Sequence, residues 1–216
     1  DLSLEYYAKD GGVFSIGAFR KNITNFFGAV SKIATAADLA LLGLDDEYLG
    51  WNLTTMFNSG DARIDGVEFS ARQSLARLGA FARHFSVFAN GTLLHLQGRS
   101  DASFATFIPK TANWGVSFTW QRLTISPRWN YRGLNKLTPI TTFGPDAYNY
   151  VKDRTMLDIS ASYQLSKRFS LAGSMTNALN VPLTNLQYGS ATPEYARRST
   201  RNIYGGAFAL GIKGVF

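Results

Sequence analysis

The chain has 216 residues, a formal net charge of +7, aromatics at 14% and no cysteine. The missing cysteines exclude disulfide frameworks, thiolate metal sites and thiol nucleophiles. Mean hydropathy is −0.08, and no run reaches the roughly 18 apolar residues of a membrane helix, although membrane strands dilute their apolar residues by half and escape that test.

A two-residue period dominates from the first residue onward, so side chains alternate between two faces of extended chain. Residues 1–8 and 13–27 carry the first two such runs, separated by a tight turn at 9–12. In the long connection 28–50, Thr35 and Asp38 form a capping-box pattern ahead of Leu39, with Gly43 as the stop; this predicts a short helix over 36–42. Alternation resumes over 51–75 and 84–97, with a turn at 76–82 between them.

In the fifth run Ile108, Ala112, Trp114, Val116, Phe118 and Trp120 oppose Asn113, Gly115, Ser117, Thr119 and Gln121. The next is the strictest, with Leu123, Ile125, Pro127, Trp129 and Tyr131 against Thr124, Ser126, Arg128, Asn130 and Arg132. Runs at 157–165, 169–176 and 204–216 complete nine predicted strands. The last keeps Tyr204, Phe208, Leu210, Ile212 and Phe216 on one face.

Short turns alternate strictly with the long connections 28–50, 98–106, 133–153 and 183–199. In an antiparallel sheet this trims one rim and loads the other with loops, the periplasmic and extracellular asymmetry of outer-membrane barrels. Strands near ten residues suit a tilted crossing and exceed the usual soluble strand. Phe26, Phe27, Trp51, Trp120, Trp129, Tyr131 and Tyr204 sit near strand ends, as in interfacial girdles. The predicted fold is all-β: part of an antiparallel transmembrane β-barrel, with about nine long strands, short periplasmic turns and long extracellular loops. Arg20 and Lys110 fall in the apolar register, both at outer ends where a long stem reaches water. A soluble β-sandwich, such as a carbohydrate-binding module, also alternates.

Nine is an odd count, and bacterial single-chain barrels close with an even one. An open sheet in hydrocarbon strands backbone groups at its edges. The expectation is therefore that residues 1–216 form the last part of a larger barrel, with earlier strands lying elsewhere.

Particular segments sharpen this. Asn58 to Ser70, with Gly66-Val67-Glu68, resembles the segment of TonB-dependent outer-membrane receptors that leads into a descending strand. Leu157 to Tyr163 is similar to that family's recurrent strand before the final hairpin, and Asn177-Ala178-Leu179-Asn180 to its N-x-x-[ND] element. The closing strand resembles the terminal signal read by the barrel-assembly machinery, carried here by Tyr204, Phe208, Leu210, Ile212 and Phe216; Gly214 departs from it. The resemblance implies a barrel of about twenty-two strands around an N-terminal plug. It also implies residence in the bacterial outer membrane, and uptake of a ferric siderophore, cobalamin or glycan energised by TonB through the plug. A passive porin-like channel is the alternative within membrane barrels.

No nucleophile-elbow, zinc-helix, P-loop or dinucleotide motif is present, so no catalytic residue, metal or cofactor is assigned. No basic run with interleaved aromatics points to nucleic acid. His84 and His95 lie eleven apart and do not meet on one ion. Asp45-Asp46-Glu47 reads as a solvated loop tip rather than a calcium site, and the sequons at Asn22, Asn52 and Asn90 carry no weight in a bacterial barrel. Arg197, Arg198 and Arg201 cluster before the final strand, with Arg132 and Lys136 on another outer connection. Arginine grips phosphate and carboxylate bidentately, so these are expected to capture an anionic nutrient ligand, the alternatives being contact with lipopolysaccharide phosphates in the surrounding lipid or plain solvation. Glu68, Arg128, Asn130 and Asp158 are expected to line the lumen or to contact a plug.

Overall fold

A computed structural model describes residues 1–25, 27–58, 61–98, 107–140, 143–144 and 146–214. Phe26 and Phe216 lie outside the described residues, as do the side chains of Phe27 and Arg198.

Nine strands form one antiparallel meander: β1 (Leu2–Tyr7), β2 (Val13–Ile23), β5 (Ala62–Ser74), β6 (Phe85–Gln97), β7 (Lys110–Trp120), β8 (Leu123–Arg132), β11 (Arg154–Gln164), β12 (Phe169–Thr176) and β15 (Ala207–Gly214). β1 and β15 are its two edges. The register carries one apolar row across neighbouring strands: Leu4 faces Ile16, Ile16 faces Phe69, and Phe69 faces Gly91. At the other end Ile125 faces Ala161, Ala161 faces Gly173, and Gly173 faces Leu210. A one-residue slip would turn every one of these side chains to the polar side.

Pro127 lies in the interior of β8, where proline is normally avoided because it donates nothing to the ladder. The register between β7 and β8 skips positions there, and the Ser117 and Ser126 hydroxyls bridge the strands at 2.9 Å instead.

The apolar face covers no core. Leu2 is 79% exposed and Phe208 72%, and Leu39, outside this sheet, is the one large side chain fully buried among the described residues. A compact monomer of 23.8 kDa exposes roughly 9,900 Å²; this chain exposes 14,553 Å². Apolar area on that scale is not left to water in a soluble sandwich.

Tight connections at one rim include an Arg77–Asp10 ion pair of 3.3 Å between two turns. Aromatics collect there: Tyr6 lies 6.3 Å from Phe14, and Phe85 lies 4.8 Å from Phe118. His84 belongs to this belt, with Nδ1 2.9 Å from the Thr119 carbonyl.

The other rim carries more structure than its sequence suggests. The run 51–75 is two strands, β4 (Asn52–Asn58) and β5, in different sheets. β4 pairs instead with β3 (Phe27–Ile33), and Trp51, just before β4, packs edge-on against Tyr48 at 5.4 Å. Between β3 and β4 lies α1 (Ala36–Leu42), where Thr35 and Asp38 make the complete capping box and Gly43 closes the helix at φ 66°. The Lys32 ammonium, 2.6 Å away, and the Thr35 hydroxyl hold the Asp38 carboxyl down at about 2.

The long connections 133–153 and 177–206 also fold. They build a second sheet in the order β14-β13-β10-β9, from β9 (Asn135–Pro139), β10 (Tyr148–Val151), β13 (Leu183–Tyr188) and β14 (Arg198–Asn202). Pro139 sits on its edge strand, where the missing donor costs nothing. Tyr204 is not part of β15: Gly205 at φ 78° breaks the extended run, so the last strand starts at Ala207.

Candidate functional site at the loop rim and polar face

The second sheet gathers residues from two connections onto one face. Tyr150 pairs with both Leu186 and Lys136, Tyr148 with Tyr188, and Thr184 with Arg201. Period two therefore places Tyr148, Tyr150, Tyr188, Arg201 and Lys136 on the same side. The Tyr150 and Tyr188 rings stack at 4.2 Å and 15°. The Lys136 ammonium lies 3.3 Å over the Tyr148 ring, and the Arg197 guanidinium 4.3 Å over Tyr188. Burial, then the neighbouring Tyr188, pushes the Tyr150 phenol up from its ordinary value. The patch is thus a stacked phenol platform edged by cations, able to receive a flat or aromatic anion.

Asp146 fixes the loop behind it. Its carboxylate accepts the Ser190 amide at 2.9 Å, and the Ser190 hydroxyl, then this amide, hold the acid below the usual carboxylate range.

The four predicted lumen residues have separate roles. Asp158 accepts from the Asn130 amide at 2.7 Å and from the Asn177 backbone N–H at 2.9 Å. Asn177, at φ 52°, returns bonds to Val181 and Gly205. Asp158 and Asn130 thus anchor the base of the last long connection and offer little to a ligand. Arg128 lies 5.3 Å from the Phe88 ring. Gly115, between them in register, leaves room for that ring: a Cβ there would stand 2.7 Å from it. Gly66 of the Gly-Val-Glu segment is covered in the same way by Phe19. Glu68 borders a polar groove with Ser15, Ser70, Asn90 and Thr92, and like Arg128 it is exposed.

Arg132, expected beside Lys136 on an outer connection, ends β8 and in register faces Arg154 directly. Like charges directly opposite disfavour a sheet, and the Arg154 Nε is buried without a partner. The register thus sets two cationic residues opposite each other where β8 meets β11. Alternation alone leaves Arg154 between the connection that ends at 153 and the run that opens at 157.

Arg201 and Lys136 share a face from opposite edge strands of this sheet and Arg197 borders it at Tyr188, while the Arg198 side chain lies outside the described residues. No group of three metal-ligating side chains converges among the described residues.

An open meander with one bare apolar face, an aromatic belt at its trimmed rim and a loop sheet at the other defines a wall of the transmembrane β-barrel class. The chain belongs to the TonB dependent receptor-like β-barrel family, whose model matches residues 1–178. No curated protein matches the sequence. Among solved structures it is similar to the copper transporter OprC, at 14% identity and a TM-score of 0.67 over 99% of this chain and 31% of that one. It is likewise similar to the ferric citrate transporter FecA, at 12%, 0.66, 98% and 30%. A mutant of the ferric enterobactin receptor PfeA from Pseudomonas aeruginosa gives 16%, 0.64, 99% and 30%. The chain thus spans about three tenths of each of these proteins, and at such identities the likeness is one of fold.

Proposed function

We propose that residues 1–216 are the C-terminal portion of the barrel of a TonB-dependent receptor in a bacterial outer membrane, with plug and earlier strands upstream. The intact receptor takes up a scarce nutrient, and the loop sheet is where an anionic ligand, such as a ferric chelate, is first captured. The carrying observation is the shared face of Lys136, Tyr148, Tyr150, Tyr188, Arg197 and Arg201, brought together from two connections. It is supported by the family assignment and by the printed names of similar structures, which include a ferric citrate transporter and siderophore receptors. Arg132 and Arg154 give the anion a second station toward the lumen. TonB acts through the plug, and the strand Phe208–Leu210–Ile212 serves the barrel-assembly machinery.

The test replaces Lys136, Arg197 and Arg201 together with glutamine in the full-length receptor. Uptake of labelled ferric siderophores is then followed in iron-starved cells with and without TonB. The reading expects TonB-dependent uptake that the triple variant lowers about tenfold or more, the loss of one or two charge-assisted contacts. Uptake that proceeds equally without TonB indicates a passive channel, and unchanged affinity in the variant removes the capture role of the platform.

A further inference from the structure

On the nine-stranded sheet the apolar face carries Asp, Glu, Lys, Arg or His side chains in one place only among the described strand residues. Arg20, Arg63, Asp65, His95 and Lys110 all share the register of Leu2, Val67 and Leu93, and all sit at the loop rim of four adjacent strands. Asp65 faces both Arg20 and His95, and Leu93 faces Lys110. The Asp65 carboxylate takes the Arg20 guanidinium at 2.7 Å and that of Arg63 at 2.9 Å, which fixes both forks near the sheet. With His95 neutral, three cations and one acid leave a net excess of two positive charges.

Below this charged row is a groove of about 870 Å³, floored by Leu2, Ala18, Val67 and Leu93 and bounded by Arg20, His95 and Lys110. An Arg turned toward hydrocarbon is costly unless its head reaches the interface. Here the heads form a band one pleat repeat above an apolar channel. That layering is the layering of a lipid: anionic headgroup above, acyl chain below.

The geometry points to a fixed binding site for a phosphorylated glycolipid of the outer leaflet on the outside of the barrel. This rests on the membrane reading above. The acyl chain lies along Leu2, Ala18, Val67 and Leu93, while Arg20 and Lys110 hold phosphates and Asp65 positions Arg20. Arg20 and Lys110 are on strands β2 and β7, three strand spacings apart, or about 14 Å. That span suits a headgroup with more than one phosphate better than the single phosphate of a glycerophospholipid. The site is separate from Arg197 and Arg201, which belong to the loop platform.

The test uses the full-length receptor purified in detergent and observed by native mass spectrometry with added lipid A, and separately with phosphatidylglycerol. The site expects one tightly held lipid A per barrel. In Arg20→Gln/Lys110→Gln, bound lipid A falls about tenfold while the barrel keeps its heat-modifiable gel mobility. Arg197→Gln/Arg201→Gln, on the loop sheet, keeps it bound. Equal lipid A on a folded Arg20→Gln/Lys110→Gln barrel overturns the site, as does retention of phosphatidylglycerol in preference to lipid A. A receptor that instead stays monomeric and soluble without detergent overturns the membrane reading itself.

Discussion

The nine-stranded sheet and the loop sheet use the same residue types in opposite ways. On the first, Leu2, Tyr6 and Phe208 stand largely open to the surroundings. On the second, Tyr148, Tyr150 and Tyr188 stack together and are edged by Lys136 and Arg197. An aromatic side chain buries a large apolar area when covered, and its π face attracts a cation. The loop sheet satisfies that drive within the protein, as a surface facing water must. The large sheet leaves it to the surroundings, which fits a solvent of hydrocarbon. The contrast distinguishes two solvents along one chain, and substitutions that exchange the two environments test it.

The largest expected effect comes from a charge on the bare face. Ile125→Arg should destabilise the folded receptor by about 2–4 kcal/mol, while Ser126→Arg, one residue on and facing the polar side, costs well under half of that; urea unfolding in lipid vesicles measures both. Asp158→Ala comes next. It strands the Asn130 amide and the Asn177 N–H and should cost about 1.5–3 kcal/mol, seen as new protease nicks within 177–206 while the strands stay protected. Tyr188→Ala removes a stacked ring and an arginine platform, a loss of about 0.5–1.5 kcal/mol beyond its buried area. Its readout is faster proteolysis of 133–153, the partner connection, and no change on the large sheet.

The smallest effect is one of pH. The folded Asp38 carboxyl is depressed to about 2 from an ordinary 3.8. Its contribution is therefore complete above the ordinary value and is lost as pH falls from there through about 2. Pepsin cleavage near Leu41 should rise across that window. In Lys32→Met the rise should be smaller and should end at a higher pH, because the principal cause of the depression is gone.

Strands such as β8 were legible because two environments press on them alternately: Ile125 and Trp129 meet one medium, Ser126 and Asn130 the other. The helix over 36–42 was equally legible, since Thr35, Asp38 and Gly43 act within a few residues of one another. The loop strands were not. β10 has four residues and β9 five, too short for a period to show, and the pairing of β10 with β13 joins Tyr148 to Tyr188, forty positions away. Tyr150 stacks on Tyr188 only after two connections pair, so no local pattern announces the platform. Arg154 was hidden for the same reason, since its meaning comes from register opposite Arg132. Asp158 was placed on the correct face, but its bond to Asn177 depends on a left-handed turn residue in a connection nineteen positions on. Tyr204 was misplaced because alternation takes no account of the φ 78° at Gly205.

The central claim is that the apolar face meets lipid and the polar face meets an aqueous or protein-filled lumen. Nitroxide labels placed one at a time at residues 123–131 of the full-length receptor in bilayers measure this directly, through collisions with dissolved oxygen and with a water-soluble nickel chelate. Oxygen collisions should peak at 123, 125, 127, 129 and 131 and fall at the positions between, with nickel collisions lowest where oxygen is highest. Odd positions shielded from both reagents, as in a packed soluble core, or open to the nickel chelate, as on a wetted surface, would contradict the account.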